Sequence, residues 1–158
     1  MNINTLLNNI SEAVAEDIEL FAWSKATYGQ KHSVYVNYDT RSLPGENNCP
    51  YVAIYPRLRT GGVGSSIKKH VFQIVCTVFD RETGIHPGFD NIVEYEGVQR
   101  MEAFRKLVET AINGVDIGNL WINSISVDYE TIDSFPFMLA GMEIEIFETI
   151  LISSDPLL

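Results

Sequence analysis

The chain has 158 residues, the length of one domain, and its 46% hydrophobic and 20% charged residues are ordinary for a globular protein. Its net charge of −10 argues against wrapping nucleic acid, because that function needs a basic face. No apolar run approaches the roughly 18 residues of a membrane helix, and two cysteines are too few for a disulfide framework.

The first half of the sequence predicts one helix followed by three strands. Apolar residues recur every three or four positions over residues 3–23, which predicts an amphipathic helix, and Gly29 marks where the chain leaves it. Residues 33–38 predict a strand, and residues 51–56 predict a second strand that Pro56 stops. A glycine-containing loop over residues 57–69 precedes a long strand at 70–80. This strand is apolar on both faces, which is typical of a central strand or of one covered by another subunit.

The second half predicts a loop at 81–93, a helix at 93–112 and a hairpin. The apolar stripe of the helix comprises Val98, Met101, Phe104, Val108 and Ala111, and Asn113-Gly114 is a C-terminal stop. Apolar and polar residues alternate over 121–132 and 138–150, which predicts two antiparallel strands. The expected fold is α+β, with the order α-β-β-β-α-β-β and two main helices on one face of a mostly antiparallel sheet. One domain is expected to span residues 1–158.

No motif for catalysis, a metal or a cofactor is present. The glycines after Thr60 lack the Lys-Ser/Thr and the helix of a phosphate-binding loop. None of the three histidines pairs with another at metal-ligand spacing. Acidic residues at 80–90 could bind a cation, although a solvated loop is the commoner explanation. Cys76 has the setting of a core residue, and nothing marks Cys49 as reactive. We therefore expect a protein that is not an enzyme and needs no cofactor.

Two charge patterns are candidate interaction sites. The first is the basic arm, which comprises Arg57, Arg59, Lys68 and Lys69. The other seven basic residues of the chain stand against 21 acidic ones, so the arm could dock on an acidic neighbour or could be a solvated hairpin. The second is the acidic face of the final hairpin, which comprises Asp128, Glu130, Glu143 and Glu145, with Ser124 and Ser126 beside them. A solvent-exposed face explains this second pattern equally well.

Several short segments of the sequence resemble the tail terminator, or tail-completion, proteins of long-tailed bacteriophages and prophages. They are residues 51–56 (Tyr-Val-Ala-Ile-Tyr-Pro), the long strand to Asp80, the helix at 95–104, and residues 135–146. The order of elements and the chain length are also similar to that family. The resemblance covers nearly the whole chain.

This resemblance implies a structural protein without a catalytic centre. Its partners would be further copies of itself in a hexameric ring, the tail tube protein and the head-tail connector proteins, with DNA passing through the lumen. The basic arm would match an extended hairpin of such proteins, and the acidic face could line the lumen. The protein would reside in the host bacterial cytoplasm during assembly and then in the virion tail. Two alternatives stay open: another neck component, such as a stopper, or a small α+β enzyme or ligand-binding protein.

Overall fold

The computed structural model describes residues 1–37, 41–61, 66–130 and 134–150, with only the backbone of Glu130. Within these ranges the fold is α+β, as predicted, with three α-helices and seven strands. The elements in chain order are α1 (Ile3–Glu16), α2 (Ile18–Tyr28), β1 (Ser33–Val36), β2 (Tyr51–Thr60), β3 (Ile67–Phe79), β4 (Thr83–Ile85), β5 (Val93–Tyr95), α3 (Glu96–Asn113), β6 (Trp121–Glu130) and β7 (Phe137–Thr149). None of the helices in these ranges has both the length and the apolar character needed to cross a bilayer.

Five strands form one sheet in the order β1-β2-β3-β7-β6, while β4 and β5 pair separately. Only β1 and β2 run parallel within the described sheet; the other pairs are antiparallel. β3 and β7 are its long central strands, and they pair without interruption from Ile67 opposite Thr149 to Phe79 opposite Phe137. β6 and β7 form the antiparallel hairpin that the sequence predicts.

The helices lie on one face of this sheet: α1 packs on β1 and β2, α3 packs on β3 and β7, and α2 packs on α3. From the helices, Leu7, Ile10, Phe104 and Val108 contribute to the core; from the strands, Phe72, Ile74, Met142 and Ile144 are fully buried against them. On the opposite face, Tyr51, Ala53, Val75 and Phe79 form a second, smaller apolar cluster. β3 therefore buries apolar side chains on both faces, as its sequence predicts. We refer to the side without helices as the open face.

The helix predicted over residues 3–23 is in fact two helices. Asp17 has an extended backbone (φ −63°, ψ 121°), and its carboxylate accepts a hydrogen bond from the backbone N–H of Leu20 at 2.8 Å. An aspartate in this position caps a new helix, because it satisfies an N–H that has no partner within the helix. α2 then continues to Tyr28 and ends at Gly29 in the left-handed conformation (φ 76°), as the sequence predicts.

Pro56 does not stop β2, contrary to the prediction. The strand continues to Thr60, and its register against β3 shifts by one residue between Pro56 and Leu58. Such a bulge accommodates an extra residue where proline cannot donate to the ladder. Arg57 and Arg59 therefore lie on β2, and Lys68 and Lys69 lie on β3, rather than in a loop.

The segment at 81–93 also differs from the prediction, because it contains β4 and the first residue of β5 rather than only loop. α3 begins at Glu96, and Val98 of its predicted apolar stripe is exposed, whereas Gly97 is buried. Further along α3, the buried Arg105 donates to Glu102 at 2.8 Å and to Glu109. The hydrogen bonds that Glu102 accepts from Arg105 and from Tyr129 of β6 lower its pKa from 4.5 to about 2. They tie α3 to the edge of the sheet.

Candidate interaction surfaces

Half of the basic arm pairs with the predicted acidic face inside the chain itself. Arg57 of β2 forms an ion pair with Glu143 of β7, and Lys69 of β3 donates to Glu145 at 2.8 Å. Glu145 also accepts hydrogen bonds from Ser124 at 3.2 Å and from the Asn123 amide. The hydrogen bond from Lys69 is the main reason why the pKa of Glu145 is lowered. These contacts connect four strands, β2, β3, β7 and β6, across the open face.

The other half of the arm lies on the opposite side of the sheet. Arg59 pairs in register with the buried His70, and Lys68 pairs with Glu148, so both belong to the face that carries the helices. Arg59 is exposed near the end of the β2–β3 hairpin, whereas Lys68 is only partly exposed. The four residues are close in the fold, but Arg57 and Lys69 are paired on the open face, whereas Arg59 and Lys68 lie on the face that carries the helices.

The acidic face has the register that the sequence predicts. Ser124 stands opposite Glu145, Ser126 opposite Glu143, and Asp128 opposite Gly141. The side chain of Glu130 lies outside the described residues. Because Arg57 and Lys69 share this face, Glu143 and Glu145 are locally neutralised. The face is therefore serine-lined, as expected, but it carries charges of both signs rather than only the expected acidic ones.

The centre of the open face is apolar and partly covered by the segment after β1. Leu43 lies over it, and two adjoining pockets of about 290 and 270 Å³ both have Leu43 and Leu139 in their walls. Gly141 forms part of the floor, where an added Cβ would lie only 2.9 Å from the amide nitrogen of Gln73. This close approach explains the glycine in the middle of β7.

Among the residues that the structure describes, the largest group of exposed apolar side chains is on a hairpin that the sequence analysis did not predict. We call it the apolar hairpin; it comprises β4, β5 and the residues between them. Its exposed members, with exposed fractions between 42% and 59%, are Ile85, Phe89, Ile92, Val93 and Tyr95. The Tyr95 ring also contacts Phe135, itself exposed, with centroids 5.5 Å apart. A cluster of this kind is typical of a surface that binds another macromolecule.

A buried carboxylate anchors the apolar hairpin to the body of the fold. Asp80, which follows β3, accepts hydrogen bonds from Arg100 at 2.7 Å, from the Tyr28 hydroxyl at 3.1 Å and from the backbone N–H of Glu82 at 2.8 Å. Burial alone would raise the pKa of Asp80, but these donors outweigh it and the pKa is lowered. The loop carboxylate considered as a cation ligand is therefore committed to an internal ion pair.

We expect both thiols to be unreactive in the folded protein. Cys49 and Cys76 are buried, and burial raises the pKa of Cys49 from 9.0 to about 12 and that of Cys76 still further. Because the thiolate is the nucleophile, a disulfide reagent at pH 8 should modify the native protein at least about 100-fold more slowly than the unfolded protein. Absorbance of the released thiol measures both rates; rapid modification of the native chain would contradict this assignment.

Within the described ranges, no three His, Cys, Asp or Glu side chains are placed to hold a metal ion. Comparison of the sequence with protein-family models finds no match, and comparison with curated proteins finds none either. Two surfaces of the described residues are candidates for binding another macromolecule. One is the apolar hairpin at one end of β3, and the other is the arm at its opposite end.

Proposed function

We propose that this chain is a structural assembly protein of a bacteriophage or prophage tail. In this proposal, copies of the chain form a ring on the end of the tail tube, stop its elongation and provide the surface that joins the tail to the head. The resemblance of several sequence segments to tail terminator proteins and the order of elements support this assignment. Assembly takes place in the host cytoplasm, and the protein then remains in the virion tail.

The apolar hairpin is the observation that carries the proposal. It is held in place by the Asp80–Arg100 ion pair, yet it presents a row of large apolar side chains to solvent. Such side chains are stable on a surface when another chain covers them. A ring component needs a surface of this kind for each neighbour, and the firm anchor gives the neighbour a fixed position.

The open face is the proposed lining of the lumen. With Arg57 and Lys69 paired to Glu143 and Glu145, its charges are largely satisfied within the chain. DNA carries one charge about every 1.7 Å along its axis, so unpaired cations along a channel would bind it and slow its passage. A face whose cations are already paired offers the phosphates few binding partners. Asp128 adds one further negative charge on this face.

Polymerising tail tube protein provides the test. The purified chain, added during polymerisation, should shorten the tubes and place a ring of density on their ends, as measured by negative-stain electron microscopy. Tube protein alone is the control for length. Averaged images of the capped ends should also show the open face towards the channel.

Tubes that reach their control length, with bare ends, would contradict the proposed function. Rings that bind head connectors but never tubes would instead favour the other neck component. Rings with the open face on the outer rim would overturn only the lumen assignment.

A further inference from the structure

We propose that free copies of this chain form dimers in which the apolar hairpin of each copy packs on the apolar hairpin of the other. Such a contact is isologous, because the same surface is used on both sides. The inference concerns the protein before it meets any tail component. It therefore goes beyond the proposed function, and the dimer itself does not depend on that function.

The apolar side chains of β4 and β5 share one face of the apolar hairpin. Ile85 pairs with Val93, and Thr83 pairs with Tyr95. Paired residues, and residues two apart on a strand, point to the same side of a sheet, so Ile85, Val93 and Tyr95 lie together. Glu94 lies on the other face, which borders a groove lined by α2 and α3. The apolar face is left to solvent, with its three side chains 51% to 59% exposed.

The exposed apolar area matches what a dimer of standard size needs. Phe135 adds to the face through its contact with Tyr95, and Phe89 and Ile92 are exposed in the loop between the strands. Together with Ile85 and Val93, these side chains are about half exposed and present on the order of 500 Å² to solvent. A standard interface removes about 800 Å² from each partner, of which a little over half is apolar. One apolar hairpin from each copy therefore supplies the apolar part of such an interface.

The acidic groups around the apolar hairpin are mostly paired within the chain. This matters because the net charge of −10 opposes self-association in general. Glu82, at the base, forms an ion pair with Arg100 at 2.9 Å. Glu94 is hydrogen-bonded to His86, which leaves Asp90 as the one hairpin carboxylate with no ion-pair partner among the described residues. The surface therefore presents a low ionic barrier to a second copy, and it offers a basic partner little to bind.

An isologous dimer also has a consequence for assembly. It occupies the apolar hairpin of both copies and does not grow further through that surface. In the proposed ring, by contrast, neighbouring copies meet through two different surfaces. One hairpin cannot contact a ring neighbour and a dimer partner at the same time. The dimer therefore has to dissociate before a ring forms, which would delay ring closure until a tail tube is present.

Charges placed on the apolar face test the dimer with the pure protein. One variant is Ile85→Glu with Val93→Glu, and the other is Ile85→Lys with Val93→Lys. Each alone should raise the Kd of the dimer about 10-fold or more, because like charges then face each other. Their equimolar mixture should recover dimers, since a negative face then meets a positive one. Sedimentation velocity measures the oligomer distribution, and circular dichroism checks that both variants are folded.

Matched controls separate this contact from general charge and apolar effects. Ile18→Glu with Phe21→Glu makes the same change in net charge on exposed apolar residues of α2 and should leave the Kd unchanged. Phe89→Ser should weaken the dimer, whereas Phe21→Ser should not. Recovery in the mixture is the decisive result, because it requires the same surface on both sides of the contact.

Wild-type protein that stays monomeric up to about 1 mM would overturn the inference and leave the apolar hairpin to a different partner. Dimers that the face variants do not weaken, or a mixture that fails to recover, would overturn it as well, as would larger rings in place of dimers. Because this assay contains no tail tubes, it is independent of the capping experiment. Capping by a protein that never dimerises would reject only the inference, and dimers without capping would reject only the proposed tail function.

Discussion

Replacing Asp80 by Ala should lower the free energy of unfolding by about 3–4 kcal/mol, measured by urea denaturation at pH 7. The Asp80 side chain is only 2% exposed, and its loss leaves the Arg100 guanidinium and the Tyr28 hydroxyl without their shared acceptor. Breaking a buried pair costs several kcal/mol because the remaining charge keeps its desolvation cost. Arg100 is partly exposed and retains Glu96, which places the effect in the lower half of the usual range.

Glu82→Ala is the matched control, because its carboxylate binds the same guanidinium at 2.9 Å but is 66% exposed. This change should cost less than about 1 kcal/mol. Equal losses for the two variants would show that Asp80 is not the anchor described above.

The effect of Asp80 should also depend on pH in a defined direction. Its pKa in the folded protein lies below its ordinary value of 3.8, so the folded state binds this proton less readily than the unfolded state. Its stabilising contribution is therefore complete above pH 3.8 and is lost as the pH falls through the lowered pKa. The difference between wild type and Asp80→Ala should be constant near neutral pH and should shrink in acid. A difference that grows in acid would contradict this assignment.

Gly97→Val should lower the free energy of unfolding by about 2–3 kcal/mol, by overpacking the junction between α3 and the sheet. A Cβ at this position would lie 2.9 Å from the Asp80 Cβ and 3.0 Å from the Met138 Cγ. Neither neighbour can withdraw freely, because Asp80 is hydrogen-bonded and Met138 is buried. The branched valine adds further atoms in the same space. Thermal unfolding followed by circular dichroism measures the loss.

Gly45→Val is the control for this prediction, because nothing lies within 4 Å of an added Cβ there. The backbone of Gly45 is also extended (φ −78°, ψ 178°), which valine adopts readily. Gly45→Val should change stability by less than about 0.5 kcal/mol. If Gly97→Val were equally mild, the close approach of α3 to Asp80 would not be a tight constraint.

The alternation of apolar and polar residues correctly predicts the final hairpin, β6 and β7. Because strand side chains alternate strictly, the sequence alone places Ser124 and Ser126 on the same face as Glu145 and Glu143, and the observed register confirms it. The helix break at Asp17 was missed because the apolar spacing of α1 continues through Ile18, which the structure leaves exposed. The signal for this break in the sequence is Asp17, because an aspartate can cap the start of a new helix.

The ion pairs across the open face could not be predicted from the sequence. Arg57 and Glu143 are 86 positions apart, and their contact depends on β7 pairing with β3 and on the bulge that turns Arg57. Local patterns fix which residues share a face of one strand, but not which strands are neighbours. The apolar hairpin was missed for a different reason: its strands have only three residues each, too few for a periodic pattern.

The position of β7 in the sheet has a consequence for biosynthesis. This strand, at 137–149, lies between β3 and β6, so the sheet acquires its centre only when that late segment is available. A nascent chain that has emerged only as far as α3 therefore carries β3 with one edge unpaired and leaves uncovered the part of α3 that packs on β7. Contacts between such distant segments make folding slow, and an exposed strand edge promotes aggregation. On the ribosome, this interval is when the chain most needs protection by chaperones.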